Sequence, residues 1–169
     1  MLTRRHWLAL STVSALPGCG FALRGAPKFA FESLRVQGSD GTPVARELQQ
    51  VLSDAGVRVF SSRLPASPEG ETGQVVLTVL TDQRERSVVG QTAAGQVREL
   101  QLRTRFRFRL ATAQGVQLLD ETELLLERDI SYTETAALAK EAEEALQYRD
   151  MQRDITQQVM RRLAAVTAP

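Results

Sequence analysis

The sequence predicts an α/β two-layer (α+β) fold: a small, mostly antiparallel or mixed sheet with two helices packed on one face. Three observations carry that reading. Apolar and polar residues alternate at period two from Glu99 to Leu110, and again from Val116 to about Ile130. The period then switches to a helical one from Ala136 to Ala165. Ahead of both, two short extended segments flank one stretch with helix punctuation at each end.

In order, residues 20–30 (GFALRGAPKFA) form a short extended lead, and Phe31 to Val36 alternates well enough for a first strand. Gly38-Ser-Asp-Gly41 is a turn, after which Thr42 and Pro43 occupy the N-cap and first helical positions. Val44, Leu48, Val51 and Leu52 supply that helix with an apolar stripe, and Gly56 stops it. Val57 to Phe60 is a second short strand, and residues 61–73, with two Pro and two Gly, are a loop. Gln74 to Val89 is a long extended segment that joins the next through Gly90-Gln-Thr-Ala-Ala-Gly95. In the segment 99–110 the even positions hold Leu100, Leu102, Thr104, Phe106, Phe108 and Leu110, so that face is the expected core. After a turn at 112–115, Leu118, Leu124, Leu126 and Ile130 continue it. The closing helix places Leu138, Ala142, Ala145, Tyr148, Met151, Ile155, Val159, Leu163 and Val166 on one stripe, with acids early and arginines late.

Composition removes several function classes. The 169 residues carry 21 Lys+Arg against 20 Asp+Glu, too balanced for non-specific nucleic-acid binding. No apolar run approaches the ~18 residues of a membrane-spanning helix. The single Cys excludes an internal disulfide and any multi-cysteine metal site. The chain opens with Arg4-Arg5, runs apolar from Trp7 to Leu16, and reaches Leu16-Pro17-Gly18-Cys19, which resembles a bacterial lipobox. The resemblance implies a signal peptide over 1–18 and lipid attachment at Cys19, where each acyl CH₂ adds about 0.8 kcal/mol of membrane affinity. Gly20 after the Cys implies, by the same analogy, the outer membrane; the opening around Arg4-Arg5 also resembles a twin-arginine signal. Cleavage removes His6, the one His in the chain, so no imidazole is left for a general base or a zinc site. No metal and no cofactor are expected.

Cys19-Gly-Phe-Ala-Leu-Arg-Gly25 behind a lipobox resembles the mature start of the LptE family of lipopolysaccharide-assembly lipoproteins. Gly90-Gln-Thr-Ala before a long alternating strand is similar to the family's middle, and Leu138-Ala-Lys140 at the head of the last helix to its end. The resemblance implies three segments: a signal peptide (1–18), a lipidated lead (19–30) and a single LptE-like domain (31–169). It further implies a non-enzymatic plug in the LptD outer-membrane barrel that helps the barrel assemble and binds lipopolysaccharide. Val88-Val89 stand ahead of GQT, leaving Arg84 and Arg86 as the nearest cations for lipid phosphates, and Lys140 is a further candidate by resemblance.

Alternation also puts Arg103, Arg105, Arg107 and Arg109 on one sheet face at ~6.6 Å intervals. Such a row suits phosphate or carboxylate, either as an anion-facing surface or as one side of a cross-strand charge ladder. An odd turn near Gln114 would set Arg107 opposite Glu121 and Arg105 opposite Glu123. Two rival functions make different demands. An accessory lipoprotein of a periplasmic lipid ABC transporter would bridge proteins without plugging a barrel. A carboxylate-dependent hydrolase, drawing on acids such as Glu141, Glu143 and Glu144, would need a deep pocket with two facing carboxyls.

Overall fold

The computed structural model describes residues 27–61, 74–133 and 137–167. The expected signal sequence, Cys19 and most of the expected 61–73 loop lie outside the described residues. Seven elements follow in order: β1 (Ser33–Gly38), α1 (Pro43–Asp54), β2 (Arg58–Ser61), β3 (Val75–Gln91), β4 (Val97–Thr112), β5 (Gln117–Ser131) and α2 (Ala137–Ala164). They make a five-stranded sheet in the order β2-β1-β3-β4-β5. β1 runs parallel to both β2 and β3, while β3, β4 and β5 are antiparallel neighbours, so the sheet is mixed.

Both helices cover one face, as the alternation requires. Leu34, Val36, Val75, Leu77, Val79, Phe106, Phe108 and Leu110 from the strands meet Val44, Leu48 and Leu52 of α1 and Ile155, Val159 and Leu163 of α2. Each fully buried large side chain contributes about 1.5–3 kcal/mol to this main core. A smaller cluster of Leu100, Leu102, Ile130, Tyr148 and Met151 lies under the first half of α2. Upstream of β1, Phe31 is also buried and Phe29 packs against the main core, their rings 5.4 Å apart.

α1 ends in a Schellman motif: Val57 N–H bonds to Leu52 O and Gly56 N–H to Ser53 O, with Gly56 at φ +87°. Its start differs from expectation. Thr42 occupies the N-cap position, but its hydroxyl donates to Ser39 O (2.6 Å) and makes no cap bond. Asp82 of β3 replaces it, its Oδ2 accepting from the backbone of Val44 (2.9 Å) and Ala45 (3.4 Å).

Two further expectations are corrected. β5 carries two register slips near its start, between the pairs Phe108/Thr122 and Ala111/Gln117. Arg107 therefore stands opposite Glu123, and Arg105 opposite Leu125 rather than Glu123. In α2 the inward line over the first turns is Lys140, Glu144, Tyr148 and Met151, with Leu138, Ala142 and Ala145 exposed. Leu138 is 84% exposed. A 28-residue helix at period 3.6 drifts off any fixed stripe, and here the packed half of the helix fixes the phase.

Candidate functional site

The sheet face turned away from the helices carries no covering layer among the described residues. β4, between β3 and the edge strand β5, places Arg103, Arg105, Arg107 and Arg109 there, because the even positions of the strand are held in the core by Phe106 and Phe108. Arg103 Nε lies 2.7 Å from Glu127 Oε1. Arg107 bonds diagonally to Glu121 and lies 3.8 Å from Glu123 Oε2. Gln101 donates to Asp129 Oδ1 at 3.1 Å. The other two arginines have no carboxylate partner among the described residues. Arg105 stands between Gln83 and Leu125, its Nε buried without a hydrogen bond. Arg109 stands beside Thr78 and lines a shallow cavity of about 400 Å³ with Gln37 and Thr112. The row thus resolves into alternating neutralised and free guanidiniums, the free pair ~13 Å apart along the strand.

Arg84, Arg86 and Lys140 belong to the opposite side. A register slip between Val79 and Thr81 turns the even residues of β3 beyond it toward the helices. Arg84 donates to Gln152 Oε1 (2.6 Å) and lies 5.2 Å from the Tyr148 ring centre. Arg86 Nε is 3.3 Å from Glu144 Oε2. Lys140, its side chain 18% exposed, reaches Glu143 Oε2 (2.7 Å) and Ser131 Oγ (3.2 Å). These contacts clasp the first turns of α2 to the strand ends. Beside them Arg86, Val88, Leu100 and Tyr132 line a cavity of about 260 Å³. The cations named from sequence therefore form two groups on opposite faces of the sheet.

Electrostatics follow the geometry. The hydrogen bond to Glu121, then its charge, holds the Arg107 guanidinium above its ordinary pKa. Burial, then the negative charge of Glu144, pushes the Tyr148 phenol up, against the opposing pull of Arg84 and Arg86. Among the described residues, no group of three His, Cys, Asp or Glu is arranged to hold a metal. The hydrolase reading required two facing carboxyls in a pocket. A cavity of about 970 Å³ between α1 and α2 is lined by a single acid, Glu47. Of the helix acids, Glu143 and Glu144 are engaged by Lys140 and Arg86. Sequence reasoning missed the capping role of Asp82, whose partner lies 38 residues away, and the buried Thr156, which no period marks as special.

A mixed five-stranded sheet with two helices on one face and a charged open face on the other defines a two-layer α+β fold. Lipoprotein B of Nitrosomonas europaea is similar over 86% of this chain and 91% of its own, with 29% identity and a TM-score of 0.69. Rare lipoprotein B of Shewanella oneidensis shares the fold at 22% identity and a TM-score of 0.62, over 79% of this chain and 94% of that one. A minor lipoprotein of Acinetobacter baumannii does so at 20% and 0.59, over 82% and 94%. No curated protein gives a significant match. The family model described as LptE, lipopolysaccharide-assembly, matches residues 29–163, and the chain belongs to that family.

Proposed function

We propose that this chain is an outer-membrane lipoprotein, cleaved after residue 18 and lipidated at Cys19, whose single domain (31–169) plugs the LptD barrel and binds lipopolysaccharide. The observation that carries the reading is the uncovered sheet face. Strands of 15 to 17 residues present it, and its charges alternate in sign across β4 and β5. Leu125 is the one large hydrophobic that the described part of β5 exposes. Such a face suits a hydrated, polar lumen far better than a bilayer or an apolar groove. No helix among the described residues is long and apolar enough to cross a membrane, which fits attachment through lipid. Arg105 and Arg109, with no acid to neutralise them among the described residues, are the cations free to compete for lipid A phosphates, while Lys140 and Arg86 form a separate candidate contact near the hairpin tip.

Purification of the tagged full chain from its own membranes tests the partner. Recovery of a large outer-membrane barrel is expected; recovery of an inner-membrane ATPase complex instead would transfer the protein to lipid transport as a bridging factor. For the ligand, Arg105→Glu with Arg109→Glu is expected to weaken lipopolysaccharide binding at least about tenfold, the loss of one charged hydrogen bond. Lys140→Glu, on the other face, tests the second contact independently. Unchanged affinity in both removes direct binding from the proposal and leaves the plug.

A further inference from the structure

Strand β4 alternates without a break from Leu100 to Thr112, because each register slip beside that stretch puts the extra residue in β3 or β5. Its outward guanidiniums therefore keep the spacing of a regular strand, and Arg105 and Arg109 stand about 13 Å apart. Between them the balance goes past neutral. Arg107 bonds to Glu121 and has Glu123 Oε2 at 3.8 Å, so one cation meets two carboxylates and the midpoint is negative. Charge along this part of the strand runs positive, negative, positive. The gap exceeds the ~10 Å over which exposed charges act at 0.1 M salt, so the outer arginines are separate anion sites.

The two sites are built differently. Arg109 opens into the cavity of about 400 Å³, whose polar lining of Gln37, Thr78, Thr112 and Gln117 includes no acid. Gln37 Nε2 donates to Thr78 Oγ1 at 3.0 Å, which leaves the Thr78 hydroxyl proton and the second Gln37 N–H to donate. Donors gathered around an arginine in this way suit a single phosphate. Arg105 stands between Gln83 and Leu125, which is 41% exposed, and its Nε is buried without a hydrogen bond. Its terminal amino groups are the atoms left to meet a second anion, beside an apolar neighbour.

We propose that the open face reads two phosphates on one amphiphile, about 13 Å apart, the first at Arg109 and the second at Arg105. Glu121 and Glu123 set that spacing by cancelling Arg107. This rests on the ligand reading above and makes it selective. A head group with one phosphate fills one site and leaves the other empty, while a continuous run of negative charge meets Glu121 and Glu123 at its centre. Two phosphates on one molecule make the second contact intramolecular, which strengthens binding with no new surface.

Titration calorimetry of the full chain in dodecyl maltoside tests it, with diphosphoryl and monophosphoryl lipid A in the same detergent and no divalent cation. The diphosphoryl form is expected to bind at least about tenfold more tightly. Arg105→Gln is expected to remove that advantage while leaving monophosphoryl binding within about twofold. Glu121→Gln with Glu123→Gln, which frees Arg107, is expected to tighten monophosphoryl binding roughly threefold and narrow the ratio. Equal wild-type affinity for the two ligands, or an equal loss of both in Arg105→Gln, overturns the paired sites and leaves lipopolysaccharide binding standing. An unchanged ratio in the double glutamine variant overturns the part given to the two acids. Binding of neither ligand overturns the proposal together with the ligand reading beneath it.

Discussion

Tyr148 ties the small core to the strand beneath it: its hydroxyl donates to Glu85 O at 2.6 Å while its ring lies under Arg84. Because burial raises its pKa, the folded state holds the phenolic proton more tightly than the unfolded chain does. That stability is fully present below the ordinary tyrosine value of about 10 and is lost as pH rises through the folded value. Thermal melts should therefore show the midpoint falling above about pH 10, with Tyr148→Phe flattening that fall and lowering stability by about 1 kcal/mol at neutral pH. Gly38 sets a stricter demand. At φ +84°, a Cβ there would lie 2.3 Å from Val79 O, a backbone atom that cannot step aside. Gly38→Ala should cost more than about 2 kcal/mol in urea unfolding, and a neutral result would refute the close approach. At this scale the sequence was readable where a residue obeys its own strand. The alternation correctly turned Arg103 to Arg109 away from the core. The pair of Arg107 with Glu121 was readable too, though it forms diagonally; the expected pair of Arg105 with Glu123 was not, because two slips in β5 move each acid by two positions.

Among the elements, α1 shows how a local signal can be right in place and wrong in mechanism. Thr42-Pro43 marks the start of the helix, yet the cap bond comes from Asp82 across the sheet. Asp82→Ala should destabilise the protein by about 1 kcal/mol, with Asp82→Asn costing less because an amide oxygen still accepts. Equal effects in chemical denaturation would mean that charge, not the bond, does the capping. The far end of α1 was legible, since Gly56 needs only its immediate neighbours to form the Schellman turn. α2 shows the converse. Its extent was clear from composition, but the stripe through Leu138, Ala142 and Ala145 was not the buried one, because Lys140 and Glu144 turn to Ser131 and Arg86 on the strand ends. A helix that begins over a narrow core can face inward with charge, and periodicity alone cannot see what it faces.

For the whole molecule, the two cores are unequal. The main cluster joins α1, α2 and four strands, whereas the distal one rests on Leu100, Leu102, Ile130, Tyr148 and Met151. Native-state hydrogen exchange should find the amides of residues 97–102 opening a few kcal/mol below those of 106–110, and Met151→Ala should widen that gap while costing about 2–5 kcal/mol. Uniform protection along β4 would mean a single cooperative unit. The fold class, the element order and the one-sided helical layer were all legible, since they follow from period and sequence order. The parallel placement of β1 between β2 and β3 was not, because no local pattern records which edges meet. The paired slips in β5 have a bearing on descent. Each adds one residue, so together they shift the alignment by an even number and leave inside and outside unexchanged. A lineage that gained or lost one amino acid there would swap leucines for glutamates in the core, whereas a change of two would pass almost unnoticed. Length variation among kin at this spot should come in twos.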